Sequence, residues 1–143
     1  MTHRMARETA ADRDREEAII ARLAHLWGCA ITPLAQHYQL DGAITRNGQL
    51  VGWLEIKTCS IISMKAESFH IRAEKCAFGM MMARQFGIGF IVAVQFEDRL
   101  GWHRFVDLKT YRIIITTRYQ EGREGESGPM LMVPMELFDW EQR

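Results

Sequence analysis

Between Leu40 and Cys59 the chain reads LDGAITRNGQLVGWLEIKTC. Asp41 heads one apolar run, Arg46-Asn47-Gly48 makes a turn, and a second apolar run ends in Glu55-Ile56-Lys57. Two carboxylates and a lysine on neighbouring strands suit a site that holds a divalent metal and cleaves a phosphodiester.

Such a site makes a demand on the strands that carry it. Side chains alternate along an extended chain, so Glu55 and Lys57 share one face while Leu54 and Ile56 enter a core on the other. Asp41 must then arrive on the Glu55 side. A two-residue turn at Asn47-Gly48 places Asp41 opposite Leu54, on the wrong side. A three-residue loop of Arg46, Asn47 and Gly48 pairs it with Trp53 and leaves Glu55 on its diagonal. A bulge at Gly42 serves equally well.

The whole chain sets bounds on what such a site can belong to. Its 143 residues fit a single domain, 48% of them are hydrophobic, and formal charge is zero. A disordered or polybasic tail protein is excluded, and any basic character must be confined to a cleft. Cys29, Cys59 and Cys76 are odd in number and widely spaced, which predicts neither a disulfide framework nor a zinc site. The N-terminus is charged where a signal peptide is apolar, and no apolar run reaches the ~18 residues that span a bilayer. A soluble protein of a reducing cytoplasm, with no membrane partner, is expected.

Taken in order, residues 1–11 read as a loose lead-in. A helix comes next, from Asp12 to Trp27, with Ile19, Ile20, Leu23, Leu26 and Trp27 at helical spacing and Gly28 closing it. Glu16 falls within about 20° of the centre of that stripe and Glu17 roughly 120° away. Glu16 therefore points toward the body of the protein, as a third acidic group for the site or as a first-turn charge facing the helix dipole. Ala30 to Gln36 reads as a strand limited by Pro33. Residues 60–67 continue the third strand or form a loop. A second helix runs from Arg72 to Gln85, with Ala73, Cys76, Ala77, Met80, Met81 and Phe86 on its buried side; Met80, Met81 and Met82 read as core filler. Phe90 to Phe96 has the apolar run of a strand buried on both faces. Trp102 to Leu108 and Arg112 to Thr117 read as further strands, and the loop EGREGESGP leads to the apolar segment Met130 to Trp140. The elements describe an α/β protein in three layers, α/β/α, with a central mixed sheet.

Asp41 followed by Glu55-Ile56-Lys57, inside the order helix, three-strand meander, helix, strand, resembles the restriction-endonuclease-like core of the PD-(D/E)XK nuclease superfamily. The resemblance covers about Asp12 to Phe96 and is nearest to small members such as archaeal-type Holliday junction resolvases and phage-encoded nucleases. It implies that Asp41 is the first acid, Glu55 the second, Lys57 the lysine and Glu16 the helix glutamate. Leu40 stands where the motif has proline. The resemblance also places a polar residue, here Lys75, on the second helix near the site.

The activity implied by the resemblance is that of an Mg²⁺-dependent, or Mn²⁺-dependent, DNA endonuclease. In such an enzyme Asp41 and Glu55 bind the ion, Glu16 ligates it directly or through water, and the Ile56 backbone carbonyl adds a ligand. Lys57 orients the attacking water or stabilises the charge developing on phosphorus. Lys65, Arg72 and Lys75 are candidates for DNA phosphate contacts, or else form an ordinary charged helix face. By analogy with resolvases a homodimer is expected, with residues 109–143 as a C-terminal extension whose apolar segment offers a contact. If phage-encoded, the protein acts in the cytoplasm of a bacterial host. The alternative is a non-catalytic nucleic-acid-binding or assembly subunit that retains the fold.

Overall fold

The computed structural model describes residues 9–116 and 128–142. Most of the expected loop EGREGESGP, and most of the expected N-terminal lead-in, lie outside the described residues.

Helix α1 spans Ala10–Trp27 and starts from a capping box, in which Thr9 and Asp12 each accept the other's backbone N–H. Strands β1 (Ala30–Pro33), β2 (Gly42–Arg46) and β3 (Gln49–Thr58) form the meander. The first of these is shorter than the sequence predicts and stops at the proline, which has no N–H to continue a ladder. After a short 3-10 turn at Ser63–Lys65 come strand β4 (Ser68–Arg72), helix α2 (Ala73–Phe86), β5 (Gly89–Gln95) and β6 (Leu100–Phe105). The chain closes with β7 (Arg112–Thr116), β8 (Gly128–Pro134) and β9 (Asp139–Trp140).

The central sheet has the order β1-β2-β3-β5-β6-β9, with β3 and β5 parallel and the other neighbours antiparallel. Alternation along β3 sorts its residues between two cores. Leu54 and Ile56 pack with Ile19, Ile20 and Leu23 of α1, together with Ile44, Ala93 and Leu100. Trp53 packs on the other side, with Cys76, Met80 and Ala83 of α2 and with Phe90, Val92 and Val94 of β5. The helices thus cover opposite faces, as the three-layer expectation requires. Leu26, placed in the α1 stripe by its spacing, is instead 41% exposed.

The buried face of α2 also differs from expectation. Cys76, Gly79, Met80 and Ala83 are buried, whereas Ala77, Met81 and Phe86 are exposed. Gly79 is the reason: a Cβ there would stand 2.5 Å from the Phe90 ring, so the bare backbone marks the line of closest approach.

A feature absent from the sequence pattern is a second sheet of order β4-β8-β7. It brings Ile71, Leu131 and Val133 into the same core as Trp53 and Phe90, and Phe138 joins them. The apolar residues of the Met130–Trp140 segment that pointed to a dimer contact are, at Leu131, Val133 and Phe138, buried in the chain's own interior.

Candidate active site

Asp41 and Glu55 reach the same side of the sheet by a device that strand alternation alone does not predict. Asn47 (φ 54°) and Gly48 (φ 78°) form a two-residue turn with both residues left-handed, closing Arg46 against Gln49. Left alone, that register would put Asp41 opposite Leu54. It shifts once, between Ile44 and Thr45: Thr45 pairs with Leu50 but Ile44 with Gly52, so Val51 is an extra residue on β3. Ala43 then faces Trp53 and Gly42 faces Leu54. One residue further, Asp41 comes alongside Glu55. The three-residue loop and the Gly42 bulge are both replaced by this bulge at Val51.

Asp41 is fixed by its backbone and by its side chain. Its N–H donates to Leu54 O at 3.0 Å, and its Oδ2 accepts the Ile56 N–H at 2.7 Å. Glu55 is 1% exposed, and its Oε1 has no hydrogen-bond partner among the described residues. Its Oε2 lies 3.5 Å from the Lys57 Nζ and 3.5 Å from the Lys75 Nζ. Burial first, and then the neighbouring charge of Asp41, push the Glu55 carboxyl up to about 7, against the pull of the two lysines. The nearness of the Asp41 side chain adds to the rise.

Lys75, on the first turn of α2, keeps only 10% of its side chain exposed. Its ammonium donates to the Gln39 carbonyl as well as pairing with Glu55. It is therefore part of the pocket rather than of an outer charged face. Arg72 pairs with Glu74 at 2.6 Å, and Lys65 is exposed on the 3-10 turn.

Glu16 approaches from the other helix. It is half-buried, lines a groove with Arg13, Leu34, Gln36 and Asp41, and also lines a second depression beside Ile56 and Thr58. Glu17 lines only the first and is exposed. Among the described residues no group of three Asp, Glu, His or Cys side chains stands close enough to hold an ion together. The structure brings Asp41, Glu55, Lys57 and Lys75 together, and Glu16 shares a groove with Asp41.

This arrangement fits a divalent cation of the magnesium kind. Such an ion is commonly held by one or two carboxylates, keeps several waters, and completes its shell with substrate phosphate. A buried carboxylate oxygen without a donor is an acceptor suited to a cation.

Sequence reasoning missed two neighbours of the site. The Gln39 carbonyl anchors Lys75, and the buried Cys76 thiol is pushed up to about 12 by burial and by the charge of Glu55. A backbone carbonyl leaves no side-chain signature, and Cys76 reads as an ordinary core residue.

No curated protein matches the sequence. A solved structure with a similar fold is that of Archaeoglobus fulgidus Hjc, a Holliday junction resolvase from an archaeal hyperthermophile. The likeness covers 82% of this chain and 88% of that one, at 16% identity and a TM-score of 0.50, and speaks for the fold alone. Residues 2–140 match the family described as "Phage putative PDDEXK endonuclease". The match spans nearly the whole sequence, and the chain belongs to this phage PDDEXK endonuclease family.

Proposed function

We propose that the protein is a metal-dependent DNA endonuclease whose centre is Asp41, Glu55, Lys57 and Lys75, with Glu16 acting across the groove. The observation that carries this reading is Glu55: a buried carboxylate with one oxygen lacking a donor and the other between two ammonium groups. A purely structural role would be a poor use of that burial, because an ionised group removed from water is stabilised only by complete pairing.

Asp41 and Glu55 would hold Mg²⁺ or Mn²⁺, which when bound would supply Lewis-acid activation of the phosphodiester and of an attacking water. The chain does the rest. The Ile56 N–H orients Asp41, and the Ile56 carbonyl would add a further ligand. Lys57 offers positive charge where negative charge develops on the phosphoryl oxygens. Lys75, anchored on Gln39, holds Glu55 in place and favours its ionised form. Glu16 acts through water. Lys65 and Arg72 contact backbone phosphates, which positions DNA without reading its sequence. The protein acts as a homodimer in the cytoplasm of a bacterial host, with branched DNA as its substrate; two symmetric sites suit the paired strands of a junction.

The test uses supercoiled plasmid and a synthetic four-way junction, each with Mg²⁺ or Mn²⁺. Wild type is expected to cut, and Asp41→Ala and Lys57→Ala to lose at least ~100-fold in rate. Cutting by wild type and variants alike would assign the chemistry elsewhere. Binding without cutting would establish the non-catalytic reading.

A further inference from the structure

Beyond the chemical centre, the turn after β3 has a composition its position does not explain. Ile61 is 51% exposed, Ile62 37% and Met64 84%. Single exposed apolar residues are normal on a protein surface, but three within four positions on one turn are not scattered. Nor is this turn loosely held. The Ser63 N–H and Oγ donate to the two carboxylate oxygens of Asp98 at 2.7 and 2.6 Å, and the Arg99 Nε donates to the Ser63 Oγ at 2.9 Å. The Glu97 N–H donates to Ile61 O at 3.3 Å and the Cys59 N–H to Gln95 O at 2.9 Å. The Lys65 N–H closes on Ile62 O at 3.0 Å. Arg99 is itself stacked over the Trp140 ring at 3.5 Å. The backbone is thus bound to the β5–β6 turn while its apolar side chains face solvent.

Resting on the endonuclease reading, we propose that Ile61, Ile62 and Met64 form a wedge that enters the base stack of DNA bound at the Glu55–Lys57 centre. The occupant is argued from continuity and charge. The wedge begins a few residues after Lys57, beyond the end of the strand that carries the Glu55–Lys57 pair. From Cys59 to Ala66 the chain carries one cation, the exposed Lys65, and no acid. An apolar tip with a neighbouring lysine matches the two chemistries of nucleic acid, stacked bases flanked by phosphate. Apolar side chains inserted at a base step unstack it, and the penalty is least where stacking is already broken. The wedge therefore favours branched or distorted DNA over regular duplex. A rigid mount keeps the loss of freedom on binding small.

The test is a four-way junction carrying 2-aminopurine at the branch, bound by the full chain with Ca²⁺ replacing Mg²⁺, alongside a linear duplex. Wild type is expected to raise 2-aminopurine fluorescence several-fold. Ile61→Ser/Met64→Ser should abolish the rise and weaken junction binding at least about tenfold, with duplex binding changed far less. Both side chains are exposed, so the thermal transition of the variant should match wild type. A flat signal with wild type, an undiminished signal with the variant, or equal losses on both DNAs would overturn the wedge. So would a variant that shifts from dimer to monomer in sedimentation with its fluorescence rise intact, since the occupant is then a second copy. Cutting of both DNAs in Mg²⁺ with a flat wild-type signal removes the wedge alone, whereas no cutting and no binding removes the endonuclease reading too.

Discussion

Glu55 is the residue on which charge and burial conflict most directly. An ordinary carboxylate titrates near 4.5, and this one is raised to about 7. The folded state therefore holds the proton more tightly than the unfolded chain does. The resulting stabilisation is complete below the ordinary carboxylate range and is lost as pH rises through about 7. At about 1.4 kcal/mol per pH unit the difference is worth roughly 3 kcal/mol. Glu55→Gln, neutral at every pH, should thus be more stable than wild type at pH 8 by up to that amount and nearly equal at pH 4. Denaturant melts without divalent ions check both arms. Mg²⁺ should raise the wild-type melting temperature at pH 8 and leave Glu55→Gln unmoved, because a ligand stabilises only the state that binds it. The acid pair and Lys57 were legible because strand alternation separates them from Leu54 and Ile56. Lys75 was singled out by resemblance; the carbonyl that holds it could not be.

At the scale of elements, two glycines decide what the hairpin and α2 can do. Gly48 at φ 78° permits the tight turn, and a β-branched residue there is strained by about 1–3 kcal/mol. Gly48→Val should lower the denaturation midpoint by a corresponding amount. Gly79→Ala sets two effects against each other. Helix propensity gains about 1 kcal/mol, while the new Cβ meets the Phe90 ring, and overpacking typically costs about 1–3 kcal/mol. The contact is at 2.5 Å with a ring that is itself fully buried, so net destabilisation is expected in the same melts. These cases mark where the sequence pattern ran out. Periodicity found both helices but misjudged the buried side of α2, because a glycine contributes nothing to an apolar stripe. Hydrophobic alternation found the hairpin but not its bulge, since Val51 reads as any other strand residue.

For the molecule as a whole, the second sheet is what local pattern could not reveal. β4 is a short run directly before a helix, and it pairs with β8, far along the chain, at Ile71–Leu131 and its neighbours. Non-local pairing of that kind is set by packing rather than by nearby residues. No helix among the described residues is long and apolar enough to cross a membrane. Leu131→Ala should cost about 2–5 kcal/mol, although it lies far along the chain from the site, because Leu131 shares one core with Trp53 and Phe90. A urea titration followed by tryptophan fluorescence measures it. That shared core also bears on synthesis. The carboxylates and lysines leave the ribosome early, but the interior that aligns them is incomplete until residues as late as Phe138 have emerged. A nascent chain therefore carries these side chains before the frame that aligns them, and their arrangement is complete only once Phe138 has joined the core.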